Sequence, residues 1–185
     1  FCRRQFEEVF LGGNIGIPIM EFATRTTDRS LQVLEVSSFQ LETISAFKPD
    51  IAVITNFFEN HLDRYPSYNA YIAAKKRIAL NMGSNETIVL NADQQLMREM
   101  ADELACQKAW FGWQVDNLKP SMTVINDEFV YTDHTGNKHR LFPTSSVRII
   151  GRHNLENVMC AALVAILAGV ANDQLEAVVK DFPGV

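Results

Sequence analysis

Apolar residues form three short runs in the first half of the chain, at residues 31–38, 50–56 and 87–93. Each run is rich in β-branched residues and ends in polar ones, which is typical of strands in a parallel sheet covered on both faces. Segments with a helical period follow the second run, at 69–82, and the third run, at 94–105. This alternation predicts an α/β fold with a mostly parallel sheet flanked by helices.

The pattern changes near residue 120, where "MTVINDEFVYTDHTGNKHRLFP" alternates and carries turn signals such as Asn126-Asp127. It predicts a small antiparallel hairpin or meander. We interpret residues 120–150 as an appendage and expect one domain over residues 1–185. Two further helical patterns follow, over 151–169 and 172–182.

The helix predicted over residues 69–82 places a lysine on its apolar face. Projected at 100° per residue, Lys75 lies near the middle of the apolar stripe, Lys76 at its edge and Arg77 outside it. Either the Lys75 stem is buried while its ammonium reaches water, or the site uses the neutral amine that desolvation favours. The stripe consists of Tyr71, Ile72, Ala74, Ile78, Ala79 and Met82.

Composition restricts the class of protein. The 185-residue chain is long enough for a domain with a real core. Its net charge of −5 and pI of about 5.4 argue against a general nucleic-acid binder. Three scattered cysteines and the lack of a long apolar run or signal peptide predict a cytoplasmic protein without membrane contact, and we expect a monomer.

Polar residues follow each predicted strand, and ligands bind at the carboxyl ends of strands in open parallel sheets. The glycine-rich "LGGNIGIP" precedes them all. The candidate residues are Asn14, Glu35, Ser37, Ser38, Thr55, Asn56, His61, Asn91 and Asp93.

Each signal has an ordinary alternative. A glycine-rich stretch is often only a turn, and Glu35 either carries a function or lies at the solvent end of its strand. His61 is either a ligand or a solvated loop histidine. Asn154 and Asn157, at i and i+3 on a first helical turn, either bind a ligand or cap the helix.

Six ordered motifs together are far more specific than any one of them. "GGNIGIP", "LEVSSFQLE", "ITNFFENHLDRYPS", "YIAAKKRI", "VLNADQ" and "GRHNLENVMCAALVA" resemble the central ATPase domain of the Mur ligases, which build the peptide of bacterial cell-wall precursors. Within that family, Ser37 to Leu41 after Glu35 favours the member that adds D-glutamate to UDP-N-acetylmuramoyl-L-alanine.

The resemblance implies that ATP phosphorylates the substrate carboxylate and that the amine of D-glutamate attacks the acyl phosphate. It implies two Mg²⁺ ions, the first held by Glu35 and the second by His61 and a carbamate on Lys75. Asn14 would contact the substrate or the phosphate region, and Ser37 and Gln40 would line the same cleft, where His61 also binds the substrate. Asn154 and Asn157 would face the nucleotide base.

The chain contains no Gly-Lys-Ser/Thr phosphate loop. The resemblance therefore implies a truncated ATPase domain, without that loop and without the domains for the UDP-substrate and for D-glutamate. We expect the 185-residue chain alone to be inactive. The alternatives are another ligase of this superfamily, such as a folylpolyglutamate synthase, and a non-catalytic nucleotide-binding module.

Overall fold

The computed structural model describes residues 1–58, 64–149 and 151–184 of the chain. Contacts between residues divide the chain into two compact units. Unit 1 comprises Phe1, Pro49–Asn56 and Met82–Val185, and unit 2 comprises Cys2–Lys48 and Phe57–Asn81.

A sheet that has six strands in the described part of the chain forms the centre of unit 1, in the order β3-β4-β5-β6-β7-β8. The pairs from β3 to β6 are parallel, and the β6-β7 and β7-β8 pairs are antiparallel. This mostly parallel sheet confirms the predicted fold class. The strands are β3 (Ile51–Ile54), β4 (Thr87–Asn91), β5 (Gln107–Phe111), β6 (Ser121–Ile125), β7 (Glu128–Thr132) and β8 (Lys138–Pro143).

The core of unit 1 forms where helices cover this sheet. Ile88, Val89 and Leu90 of β4 are all 0% exposed, as expected for a strand buried on both faces. Met159 and Leu163 of the longest helix are also 0% exposed. The helices are α3 (Gln95–Asp102), α4 (Arg152–Leu167) and α5 (Leu175–Asp181). No helix in the described part of the chain combines the length and hydropathy that a membrane crossing requires.

The antiparallel hairpin predicted near residue 125 is confirmed. Asn126 and Asp127 have φ of 50° and 60°, and two positive φ values in a row suit a tight hairpin between twisted strands. However, β6 also pairs with β5 in the parallel direction. The three antiparallel strands therefore continue the main sheet, whereas the sequence suggested an appendage.

Unit 2 contains a parallel two-stranded sheet of β1 (Glu8–Gly13) and β2 (Ser30–Glu35). The first apolar run does not join the six-stranded sheet in the described part of the chain, because β2 pairs with β1 and not with β3 or β4. The sequence pattern had suggested a single sheet. The sequence pattern did not predict β1. The helices of unit 2 are α1 (Ser38–Leu41) and α2 (Tyr68–Lys76).

Helix α2 is shorter than predicted. It begins after Ser67, whose Oγ accepts a hydrogen bond from the Ala70 backbone N–H at 3.2 Å, an N-cap that satisfies a free donor of the first turn. Beyond Lys76 the chain tightens into a 3₁₀ turn, Arg77–Ala79. Tyr71 and Ala74 of the predicted apolar stripe are buried.

Candidate functional site

The turn after β1 brings Asn14 against Glu35. Gly13 lies opposite Glu35 in the strand register and has a φ of 113°, which favours glycine. A Cβ on Gly13 would lie 2.3 Å from the Glu35 carbonyl oxygen, and one on Gly12 would lie 2.0 Å from the Ile17 carbonyl oxygen. Where the two backbone segments come this close, the Asn14 backbone N–H donates to the Glu35 carbonyl at 2.7 Å. Asn14 Nδ2 donates to Glu35 Oε1 at 3.2 Å.

The glycine-rich stretch is thus more than a turn, since its glycines permit a contact between two predicted site residues. Glu35 is exposed, at the solvent end of its strand. Its carboxylate is a hard oxygen donor of the kind that Mg²⁺ prefers, and Mg²⁺ commonly takes only one or two protein carboxylates beside waters and substrate phosphates. The described residues contain no cluster of three or more His, Cys, Asp or Glu suited to a metal. Glu35 therefore fits Mg²⁺ by donor chemistry, as a single ligand.

Ser37 and Gln40 contact each other across the first turn of α1. Gln40 Oε1 accepts hydrogen bonds from the Ser37 backbone N–H and from Ser37 Oγ, both at 2.9 Å. The bond from the Ser37 backbone N–H to the Gln40 side chain belongs to a capping box, which fixes the start of a helix. The two predicted substrate residues are therefore neighbours, two and five residues after Glu35 in the chain.

Lys75 is half-buried on α2, and its Nζ lies 5.4 Å from the centroid of the Tyr71 ring. Such a position over an aromatic face stabilises a cation. The Tyr71 ring is buried and also makes an edge contact with Tyr65, at 5.6 Å between centroids. Lys76, placed at the stripe edge by the sequence pattern, is half-buried as well.

Asn154 and Asn157 lie on the first turns of α4, beside a cavity of about 710 Å³ in unit 1. Gly151 precedes the helix with a φ of 114°, and its carbonyl accepts the Asn154 backbone N–H at 3.0 Å. The cavity has the size of a small-molecule pocket and a mostly apolar lining. Besides the two asparagines, its lining includes Phe1, Ile149, His153, Ala161, Val178 and Phe182.

Asn91 and Asp93, which were candidates at the end of the third run, have structural contacts. Asn91 Oδ1 accepts the Asp93 backbone N–H at 2.9 Å, a local turn that asparagine commonly forms. The Asp93 carboxylate accepts the backbone N–H groups of Trp113 and Gln114 at 2.8–3.1 Å. A Cβ on Gly112 would lie 2.9 Å from this carboxylate. Asp93 therefore organises the loop after β5.

The remaining candidates are Thr55, Asn56, Ser38 and His61. The Asn56 Nδ2 donates to Thr55 Oγ1 at 3.4 Å, after β3 in unit 1. Ser38 is buried in α1. His61 lies outside the described residues, so its metal-binding role stays a prediction.

Sequence reasoning missed a polar cluster on Glu42, just after α1. Tyr65 Oη donates to Glu42 Oε1 at 2.5 Å, and Arg64 Nη2 donates to Glu42 Oε2 at 3.4 Å. The hydrogen bond from Tyr65 holds the pKa of Glu42 below its ordinary value, and the hydrogen bond and charge of Arg64 make a smaller contribution in the same direction. Burial and the same bond raise the pKa of Tyr65. A buried tyrosine hydroxyl needs a hydrogen-bond partner, so Tyr65 itself was the signal that such a cluster exists. The sequence does not tell which acidic residue accepts its hydrogen bond.

The chain matches the family model described as "Mur ligase middle domain" over residues 11–165. A UDP-N-acetylmuramoylalanine–D-glutamate ligase of Koribacter versatilis is 38% identical over 97% of this chain and 39% of its own length. A ligase of the same name from Leuconostoc mesenteroides is 36% identical over 97% of this chain and 38% of its own length. The chain thus spans about 39% of the length of these curated relatives. These matches confirm the resemblance inferred from the six motifs.

Solved structures share the fold at lower sequence identity. A MurF ligase of Thermotoga maritima, in complex with ADP, superposes with a TM-score of 0.68 at 15% identity. The match covers 100% of this chain and 44% of the other. A UDP-N-acetylmuramate:L-alanyl-gamma-D-glutamyl-meso-diaminopimelate ligase from Neisseria meningitides gives a TM-score of 0.65 at 14% identity, over 98% and 68% of the two chains.

Proposed function

Because the chain belongs to the Mur ligase family, we propose that the full-length protein containing it joins D-glutamate to UDP-N-acetylmuramoyl-L-alanine at the expense of ATP. The observation that carries this proposal is the match of nearly the whole chain to relatives named for that ligation. The γ-phosphoryl group of ATP passes to the alanine carboxylate, giving an acyl phosphate and ADP. The D-glutamate amine then attacks the acyl carbon, the amide bond forms and phosphate leaves.

We assign the nucleotide base to the cavity beside Asn154 and Asn157. A side-chain amide both donates and accepts hydrogen bonds, so it can read the polar edge of a base. The apolar lining from Ile149, Ala161 and Val178 suits the flat faces of the base. These residues thus bind and orient ATP at the end remote from the transferred phosphoryl group.

Glu35 and Asn14 act at the phosphate end of the reaction. Glu35 is the carboxylate that would hold the first Mg²⁺, and the Asn14 amide, which donates to its Oε1, orients it. When bound, Mg²⁺ supplies positive charge that stabilises the charge on the transferring phosphoryl group. Ser37 and Gln40, fixed by their mutual hydrogen bonds, line the substrate side. We assign His61 to the second ion.

Lys75 is assigned to the second ion as a carbamate. Its neutral amine attacks the carbon of CO₂, an N–C bond forms, one C=O π bond opens and one proton leaves. The carbamate has carboxylate-like oxygens, which suit Mg²⁺, whereas the ammonium form of Lys75 has no oxygen ligand. Because the ring of Tyr71 favours a cation at Nζ, the ammonium competes with the carbamate, and Lys75 would hold the second ion only in its carbamate form.

The free state of Cys2, Cys106 and Cys160 supports a reducing compartment such as the cytoplasm. We propose that the full-length protein acts there as a monomer. Gel filtration with light scattering measures the oligomeric state directly.

The test is release of phosphate from ATP by the full-length protein. We expect release to require both UDP-N-acetylmuramoyl-L-alanine and D-glutamate, and Glu35→Ala to remove it without unfolding the protein. Activity with a folate and L-glutamate instead would assign the folylpolyglutamate alternative. ATP binding without turnover on either substrate pair would favour a non-catalytic nucleotide-binding module.

A further inference from the structure

Two side chains after α2 hold the segment that follows α1. Arg77 Nε donates to the Leu41 carbonyl at 2.8 Å, and Arg77 Nη2 donates to the Ile44 carbonyl at 3.0 Å. Asn81 Nδ2 donates to the carbonyls of Ser45 and Phe47, both at 2.9 Å. Four backbone acceptors within residues 41–47 are therefore satisfied from one short stretch of chain.

At the end of α1 the backbone carbonyls need donors from elsewhere in the chain. Helix α1 has only four residues, and the last carbonyls of any helix lack partners within it. A guanidinium offers several N–H groups in a rigid plane, so one arginine serves two acceptors with little loss of side-chain freedom. The half-buried position of Arg77 further limits its movement.

The same contacts connect two groups of predicted site residues within unit 2. Arg77 lies two residues after Lys75, just past the end of α2. Leu41, whose carbonyl Arg77 binds, directly follows Gln40 in α1. The guanidinium is thus a short rigid link between the backbone that carries Lys75 and the helical turn that carries Ser37 and Gln40.

We propose that Arg77 is a positioning residue for the ligation reaction, which sets the location of Lys75 relative to the Ser37–Gln40 turn. This inference rests on the proposed ligase function and adds a residue to it. In this role Arg77 acts through the Leu41 and Ile44 carbonyls that it binds, and not on a reactant. Its effect is on geometry, and a displacement of about 1 Å at a reacting group can cost up to about a hundredfold in rate.

A purely structural role for Arg77 is the competing explanation, and Arg98 in unit 1 provides the matched control. Arg98 Nε donates to the Ala92 carbonyl at 2.6 Å, and its Nη2 donates to the Gln114 carbonyl at 2.5 Å. It therefore makes the same two kinds of bond, but it fastens a segment to which no role in the reaction is assigned.

The experiment compares Arg77→Lys with Arg98→Lys in the full-length protein, at a temperature well below both midpoints of thermal unfolding. Lysine keeps the charge but loses the planar fork. For Arg77→Lys we expect kcat to fall between about tenfold and a hundredfold. We also expect a higher Mg²⁺ concentration for half-maximal rate and an unchanged KM for ATP. Arg98→Lys should lower the unfolding temperature comparably and leave kcat and the Mg²⁺ dependence unchanged.

Equal kcat values and Mg²⁺ midpoints in the two variants would overturn the positioning role. If Arg77→Lys does not fold, the same measurements are made on Arg77→Gln, because the glutamine amide can still donate a hydrogen bond to one of the two carbonyls. A wild-type protein without ligase activity would instead overturn the proposed function, so the two failures are distinguishable.

Discussion

The two units are stabilised in different ways. Unit 1 has a continuous apolar core between its sheet and α4, with Phe129, Met159 and Leu163 fully buried. Unit 2 has a two-stranded sheet with large apolar side chains at its surface, such as Leu11 and Val33. Beside a small apolar cluster of Tyr65, Tyr71 and Ala74, its segments are joined by polar side chains, among them those of Glu42, Arg64, Arg77 and Asn81.

This difference has a consequence for function. Most of the predicted chemistry lies in unit 2, on Asn14, Glu35, the Ser37–Gln40 turn and Lys75. Directional hydrogen bonds fix the orientation of such groups, whereas apolar contacts chiefly stabilise the fold without selecting one direction. We therefore expect substitutions in unit 2 to affect the reaction more than folding, and core substitutions in unit 1 to do the opposite.

The largest expected effect is on turnover, at Lys75. If the proposed carbamate forms, Lys75→Ala in the full-length protein removes a metal ligand worth several kcal/mol of transition-state stabilisation, so kcat should fall about a thousandfold or more. Formate should partly restore the rate, because it supplies the missing carboxylate-like oxygens. Steady-state kinetics with and without formate measure both effects.

Lys76→Ala is the control for Lys75→Ala, and its kcat should be close to that of the wild-type protein. A fully active Lys75→Arg, together with no rescue by any small carboxylate, would contradict the carbamate and leave a simple cation.

The second comparison concerns stability. Phe129→Ala removes a 0% exposed ring that lies 4.7 Å from the Phe142 ring between centroids, so it should cost about 3–5 kcal/mol of unfolding free energy. Val33→Ala, at a site 40% exposed, should cost less than about 1 kcal/mol. Urea denaturation of the two variants measures both values, and equal losses would contradict the expected dependence on burial at these two sites.

The third prediction concerns the nucleotide, which we assign to unit 1. Asn157→Ala in the full-length protein should raise the KM for ATP about tenfold, because it removes a hydrogen bond worth about 1.4 kcal/mol. Its kcat should change little. The control is Asn172→Ala, at an exposed asparagine outside the cavity lining, which should leave both constants unchanged. An unchanged KM for ATP in Asn157→Ala would contradict the assignment of the base to this cavity.

The smallest effect concerns a surface turn of unit 1. Asp133 accepts hydrogen bonds from His139 Nε2 at 3.0 Å and from Thr135 Oγ1 at 2.6 Å, and these two lower its pKa below the ordinary value of 3.8. A lowered pKa in the folded state stabilises the protein above that value, and the contribution is lost as the pH falls further.

Asp133→Asn should therefore lower the unfolding temperature slightly at pH 7, and the difference from wild type should shrink below about pH 4. Thermal unfolding at pH 7, 4 and 3 measures this trend. Thr135→Ala is a useful companion because it removes only one of the donors. Because histidine gains charge between pH 7 and pH 4 and His139 contacts Asp133, the decisive interval is from pH 4 to pH 3, and a difference that grows there would reverse the assigned sign.

The sequence predicted most of unit 1 because burial produces a local pattern. The run at 87–93 is apolar because β4 is covered on both faces, and Asn126-Asp127 forms a tight turn because both residues tolerate positive φ. The order of polar motifs also predicted the family, and with it Glu35, Lys75 and the two asparagines as candidates.

Tertiary structure alone decided which polar groups meet. The contact of Asn14 with Glu35 depends on strand register, and Arg77 reaches a carbonyl 36 residues earlier in the chain. Asp93 ends an apolar run just as Glu35 does, yet its carboxylate binds backbone N–H groups of a following loop. Burial of apolar residues has the period of the helix or strand and is therefore visible in sequence. A hydrogen bond between distant segments has no period, because its partners are set by how the chain returns on itself.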